Sequence, residues 1–156
     1  MSRQAIERLE HALLANFSSL RKDIENCPDS VWEKKYGGDY IWQQALHTLA
    51  VNFMLMNEPG IKHPDLPEST DVLLMHDDSY KGDHSRELIL KTMDTVLEHL
   101  SAYLDKKNDE DLYKDANFFG NSMPFFDILM IANGHIMYHL GVFDAALREN
   151  GAKTAL

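Results

Sequence analysis

In the last third of the chain, Ile128, Ala132, His135, His139, Val142 and Ala146 recur in steps of four, three, four, three and four. Leu129, Ile136, Leu140, Phe143 and Leu147 form a second strip one residue over. This is the 3.6-residue period of an α-helix, and a stripe that wide must be buried against other elements. The spacing predicts a helix over about residues 123–150, with a cap at Asn121-Ser122, Pro124 in the first turn and a stop at Asn150-Gly151. Asn133, Asp144 and Arg148 mark its expected polar face.

Three earlier segments carry the same period. Ile6, Leu9, Leu13, Phe17, Leu20 and Ile24 predict a helix over about 3–26, closed by Asn26-Cys27-Pro28. A short piece with Val31 and Trp32 follows, broken at Gly37-Gly38-Asp39. Trp42, Leu46, Leu49, Phe53 and Met56 give a helix over about 40–57, stopped by Glu58-Pro59-Gly60. Ile89, Met93, Val96, Leu100 and Tyr103 give one over about 84–105. Residues 58–83 form a connection long enough to cross the fold or to have a role of its own. Residues 109–121 are apolar but irregular and are expected to pack over one end of the core. No Val/Ile/Thr-rich alternating segment or internal repeat is evident. The chain therefore reads as all-α, a four-helix bundle with one long crossover and a single domain over 1–156.

Composition narrows the function. A formal net charge of −10, with Lys and Arg only in scattered doublets, argues against nucleic-acid binding, which needs a basic surface to displace counterions. A single cysteine, Cys27, precludes an intramolecular disulfide, as suits a reducing cytosol, and reads as structural. The first residues lack the apolar core of a signal peptide, and no run of 18 apolar residues is present for a membrane span. The chain is expected to be cytoplasmic.

His135 and His139 lie one turn apart on the same helix face, where two imidazoles reach one metal ion. Among eight histidines such a pair arises by chance roughly one time in three, so its weight comes from context. Its context is the stripe expected to be buried, where each ring nitrogen needs a partner. His47 flanks the apolar seam of the second long helix, as expected of a side chain pointing between facing helices. His11 and His99 read as surface residues. His63, His76 and His84 belong to the long connection or its edge, and His76-Asp77-Asp78 is a weak ligand set because adjacent loop residues do not converge.

Other enzyme classes fit less well. A zincin needs Glu directly after its first His, and Ile136 stands there. Di-iron bundles need Glu three residues before each His, where this chain has Ala132 and Ile136. Neither a P-loop nor a dinucleotide-type glycine loop is present.

Two stretches, Tyr40-Ile41-Trp42-Gln43-Gln44-Ala45-Leu46-His47 and His135-Ile136-Met137-Tyr138-His139-Leu140-Gly141-Val142-Phe143, resemble the DinB-like (damage-inducible) superfamily and its YfiT-like metal-dependent members. Helix count, the 58–83 connection and the 109–122 lead-in agree with it over essentially the whole chain. The resemblance implies a four-helix bundle with up-down-down-up topology, in which the long connection joins two parallel helices. It implies a metal triad of His47, His135 and His139, zinc or nickel as occupant, and a homodimer. Several such proteins look like S-transferases using low-molecular-weight thiols such as bacillithiol or mycothiol; others resemble hydrolases or isomerases.

The expected site would leave a divalent ion its full charge and an open position, so that a thiol or water joining it is activated near neutral pH. No general base follows from the sequence. Tyr138 and Asp127 share the last helix with the pair, Asp94 on the third long helix is a candidate supporting partner, and Tyr80 and Met75 lie in the connection that could cover the pocket. Three functions fit the sequence: a metal-dependent enzyme, as a thiol S-transferase or small-molecule hydrolase, a non-catalytic metal- or ligand-binding bundle, and a bundle whose histidines are structural and whose task is dimerisation or partner binding.

Overall fold

The structure, a computed structural model, describes residues 2–58, 60–64, 66 and 82–156. Four long helices carry the core: α1 (Gln4–Asn26), α3 (Ile41–Leu55), α4 (Arg86–Leu104) and α5 (Phe125–Glu149). The short α2 (Asp29–Trp32) follows α1, and a 3-10 turn (Asp109–Tyr113) follows α4. Phe17 and Leu20 of α1, Leu49 of α3, Met93 and Leu100 of α4, and Ile136 and Phe143 of α5 are fully shielded from solvent.

Contacts between side chains give the topology. Along α3 and α4, Trp42 stacks on His84 just before α4, and Phe53 packs at a tilt against His99 near its end. The two therefore run parallel. Along α3 and α5 the order is reversed: Gln44 meets His139 and His47 meets His135. Arg21 of α1 pairs with Asp94 of α4, while Arg3 pairs with Asp105, so these two are antiparallel. Asn16 of α1 bonds Asn133 of α5, and Asp23 further along α1 accepts from Ala155 beyond α5, so that pair is parallel. Packing of α1 on α5 and α4, and of α3 on α5 and α4, closes the square. The result is the up-down-down-up bundle.

The expected helix boundaries shift because two antiparallel hairpins, absent from the sequence reading, precede the histidine-bearing helices. β1 (Lys35–Tyr36) pairs with β2 (Asp39–Tyr40), and β3 (Asp115–Phe118) pairs with β4 (Asn121–Pro124). Strands this short cannot show an alternating pattern; their signal is the turn. Gly37 and Gly38 have φ of 67° and 104°, and Phe119 and Gly120 have φ of 50° and 83°, as a two-residue type I′ turn requires. Asn121 and Ser122 thus pair in a strand rather than cap a helix, and Pro124 stands just before α5.

Both hairpins launch their helices in the same way. Ile41 N–H donates to Lys34 O at 3.0 Å, and Phe125 N–H donates to Lys114 O at 3.0 Å. Each bond ties the first residue of the helix to the residue just before the hairpin. It supplies a partner for one of the N–H groups that a helix start leaves free, and it fixes where each helix begins.

The solvent side of α5 also departs from expectation. Asn133 faces α1 through its bond to Asn16. Phe126, Met130, Ile131, Met137 and Tyr138 are exposed instead.

Candidate metal centre

α3 is buried on nearly all sides because it packs against α4, α5 and the first hairpin. His47 lies in its middle, and antiparallel packing sets it opposite His135 and His139 of α5. His47 Nε2 and His135 Nε2 are 3.0 Å apart, and His135 Nε2 and His139 Nε2 are 3.2 Å apart. Ligand atoms of all three lie within 4.8 Å of one another, and the group contains no Asp, Glu or Cys among the described residues. His139 is 1% exposed, whereas His47 and His135 are half-buried. The cluster therefore opens toward solvent on the His47–His135 side.

The tautomer of His139 follows from its neighbours. Gln44 Nε2 donates to Tyr36 O at 2.8 Å, which turns Gln44 Oε1 toward His139 Nδ1 at 3.1 Å. A carbonyl oxygen only accepts, so Nδ1 carries the proton and Nε2 presents a lone pair to the cluster. Support of this kind, one shell out from the ligands, typically orients metal-binding histidines. Tyr36 belongs to the first hairpin, which connects the turn at Gly37-Gly38 to the geometry of the centre. Asn150 Nδ2 donates to the Tyr36 hydroxyl at 2.7 Å and ties that hairpin to the end of α5.

The donor set fits a divalent ion. Three nitrogens each about 2.0–2.1 Å from one ion, at angles between tetrahedral and right-angled, lie roughly 2.9–3.4 Å apart. The two Nε2 separations fall in that range. Without an ion the arrangement is costly: His135 Nε2 faces two neighbouring nitrogens and satisfies at most one with a proton. Among the described residues the buried His135 Nδ1 has no hydrogen-bond partner, and an ion at Nε2 leaves that unchanged. Burial, then the neighbouring His47, pushes the His135 pKa down to about 4. Burial, then His135 and His47, pushes His139 down to about 3. Both rings are therefore neutral at pH 7, the form that binds metal.

The structure brings together His47, His135 and His139 and no other predicted residue. Asp94 is paired with Arg21 on the α1–α4 side, away from α5. Asp127 is exposed in the first turn of α5. The Tyr138 ring lies 5.0 Å from that of His139, but Tyr138 is 66% exposed. Tyr80, Met75 and His76-Asp77-Asp78 lie outside the described residues. His11 is exposed as expected. His99 is not a plain surface residue: its ring packs on Phe53, and its Nε2 is buried. His63 Nε2 bonds Thr95 Oγ1 at 2.7 Å, and His84 stacks on Trp42. Cys27 is buried, and burial pushes its thiol up to about 11, which suits a structural residue.

Gln44 is the functional residue that sequence reasoning missed. Its position three before His47 puts it near that helix face, but its contacts are with His139 and Tyr36, which local spacing does not signal.

No family model matches the sequence, and no curated protein matches it. Among solved structures, the chain is similar to a DinB-like protein from Bacillus cereus ATCC 10987. The TM-score is 0.73 at 20% identity, covering 95% of this chain and 94% of that one. At that identity the likeness is one of fold.

Proposed function

We propose, from the DinB-like fold and the three-histidine cluster, that the protein binds one divalent ion through the Nε2 atoms of His47, His135 and His139. We read residues 1–156 as one domain built around this centre. The observation that carries the proposal is the convergence of three Nε2 atoms with one side open. Imidazole donors of this number suit zinc and nickel. When bound, the ion supplies Lewis-acid chemistry, lowering the pKa of a thiol or water that takes the open position.

The reading extends to a thiol-dependent S-transferase acting on a small electrophile. The histidines hold and orient; as neutral rings with low pKa they do not take up a proton at pH 7. Gln44 keeps Nε2 of His139 aimed at the centre. Thiol sulfur attacks the electrophilic carbon, the leaving group departs with its electron pair, and the thiol proton goes to solvent at the open side. Hydrolysis is the weaker alternative. It calls for a general base beside the attacking water; Asp94 is paired with Arg21, Asp127 is exposed at the start of α5, and Tyr138 meets His139 only through its ring edge. A cytosolic setting, with reduced thiols, suits this chemistry.

A homodimer belongs to the same proposal. Phe126, Met130 and Met137 follow one another along the outer side of α5, each at least 40% exposed, with Gly134 between them. An apolar patch on one helix, with a small residue at its centre, is suited to pairing with its own copy.

The test is turnover of monochlorobimane with bacillithiol, mycothiol or glutathione, with and without a chelator. The expected result is chelator-sensitive turnover with at least one thiol, lost in His135→Ala. Full ion loading with no turnover for any thiol would contradict the transferase reading and leave a non-catalytic metal-binding bundle.

A further inference from the structure

A cavity of about 800 Å³ lies between the second half of α3, the end of α4, the β3–β4 hairpin and the described residues that follow α3, among them Glu58, Lys62 and His63; the three histidines of the cluster are not part of its wall. That volume is within the usual range for small-molecule pockets. Ala50 and Met54 line it, three and seven residues after His47. The three share one face of α3, so the cavity starts about 5 Å along the helix from the His47 ring's own turn. Phe53, Tyr103 and Phe119 add aromatic surface to its wall.

Phe119 is placed there against its backbone preference. It sits at the tip of the β3–β4 hairpin with φ 50°, a conformation costly for a bulky residue and natural for Asn or Gly. Its side chain is 54% exposed, so burial in the core does not offset that cost. Strain at a pocket wall is a mark of a binding role. We propose that this cavity takes the apolar body of an amphiphilic ligand whose electron-rich end reaches the three histidines, and that Phe119 sets the preference for an aromatic or branched-alkyl body. The proposal rests on the metal-site reading above.

Two hydroxamates separate the two ideas. Acetohydroxamate carries only the metal-binding end, whereas 4-phenylbutyrohydroxamate adds an apolar tail. Titrated calorimetrically into zinc-loaded protein, the phenyl compound is expected to bind roughly tenfold or more tightly. Phe119→Asn, which fits the turn, is expected to remove most of that gain, leave acetohydroxamate binding as it was and keep or raise the thermal midpoint. Met54→Trp, which fills the cavity, is expected to remove the gain as well. Equal affinity of the two probes for the wild type, or a gain that survives both substitutions, overturns the pocket proposal and leaves the metal site standing. Binding of neither probe overturns the metal-site reading and this proposal with it.

Discussion

Gln44 Oε1 accepts a hydrogen bond from His139 Nδ1 at 3.1 Å, while the amide nitrogen of the same side chain donates to Tyr36 O at 2.8 Å. One buried amide thus fixes which nitrogen of His139 faces the cluster, and it does so through the hairpin that starts α3. Gln44→Leu removes the acceptor and leaves Nδ1–H buried without a partner. Zinc affinity, measured by competition with a chromophoric chelator, is expected to fall about 10- to 100-fold. Gln44→Glu keeps an acceptor and is expected to retain tight binding. Equal affinity in Gln44→Leu and wild type would show that the amide only packs.

The low pKa of His135 and His139 sets a pH dependence for metal-free protein. Their folded values, about 4 and about 3, lie below the ordinary 6.5. The unfolded chain therefore binds more protons than the folded one between about pH 3 and 6.5, and stability rises with pH across that window. Urea midpoints of metal-free protein are expected to drop from pH 7 to pH 4.5. The drop should be smaller in the His135→Gln/His139→Gln double variant. A double variant as acid-sensitive as the wild type would place the acid-labile groups elsewhere.

Asp23 works in the opposite direction. It is fully buried in α1, and burial raises its pKa above 3.8 despite the bond from Ala155 N–H. The folded state holds its proton longer than the unfolded chain, so this contribution is full below pH 3.8 and is lost as pH rises through the raised value. Asp23→Asn keeps an acceptor for Ala155 and does not ionise. Relative to wild type, its denaturation midpoint should be higher at pH 7 than at pH 3.5. A difference independent of pH would mean that Asp23 does not titrate in this range.

The apolar outer side of α5 predicts self-association. Met130→Glu with Met137→Glu places charges on an exposed face, where the cost to the monomer is small. Sedimentation velocity is expected to show a wild-type dimer and a folded monomeric variant. A wild type that is monomeric at tens of micromolar would contradict the proposed dimer.

The bundle was legible because its helices are long and periodic: residues such as Phe17, Leu49, Met93 and Phe143 lie where their spacing put them. The histidine triad was legible in two parts. His135 and His139 share a face by local spacing, whereas His47 depends on antiparallel packing of α3 on α5, which the family resemblance supplied. The hairpins were not legible, since two- and four-residue strands carry no period. Gly37-Gly38 showed only a break, and Phe119 is an unusual residue for the turn it occupies. Gln44 was hidden for a different reason. Its role comes from a three-part relay through Tyr36, and no local pattern encodes a backbone carbonyl brought in by a hairpin.

The central claim is that His47, His135 and His139 form one ion site. Its most direct measurement is the metal content of tag-free protein, reconstituted with zinc or nickel and freed of excess ion, determined by plasma mass spectrometry. A shared three-histidine site gives close to one ion per chain for the wild type and a large loss in each of His47→Ala, His135→Ala and His139→Ala. A wild type that holds no ion after reconstitution with either metal, or three alanine variants that hold as much as the wild type, would contradict it.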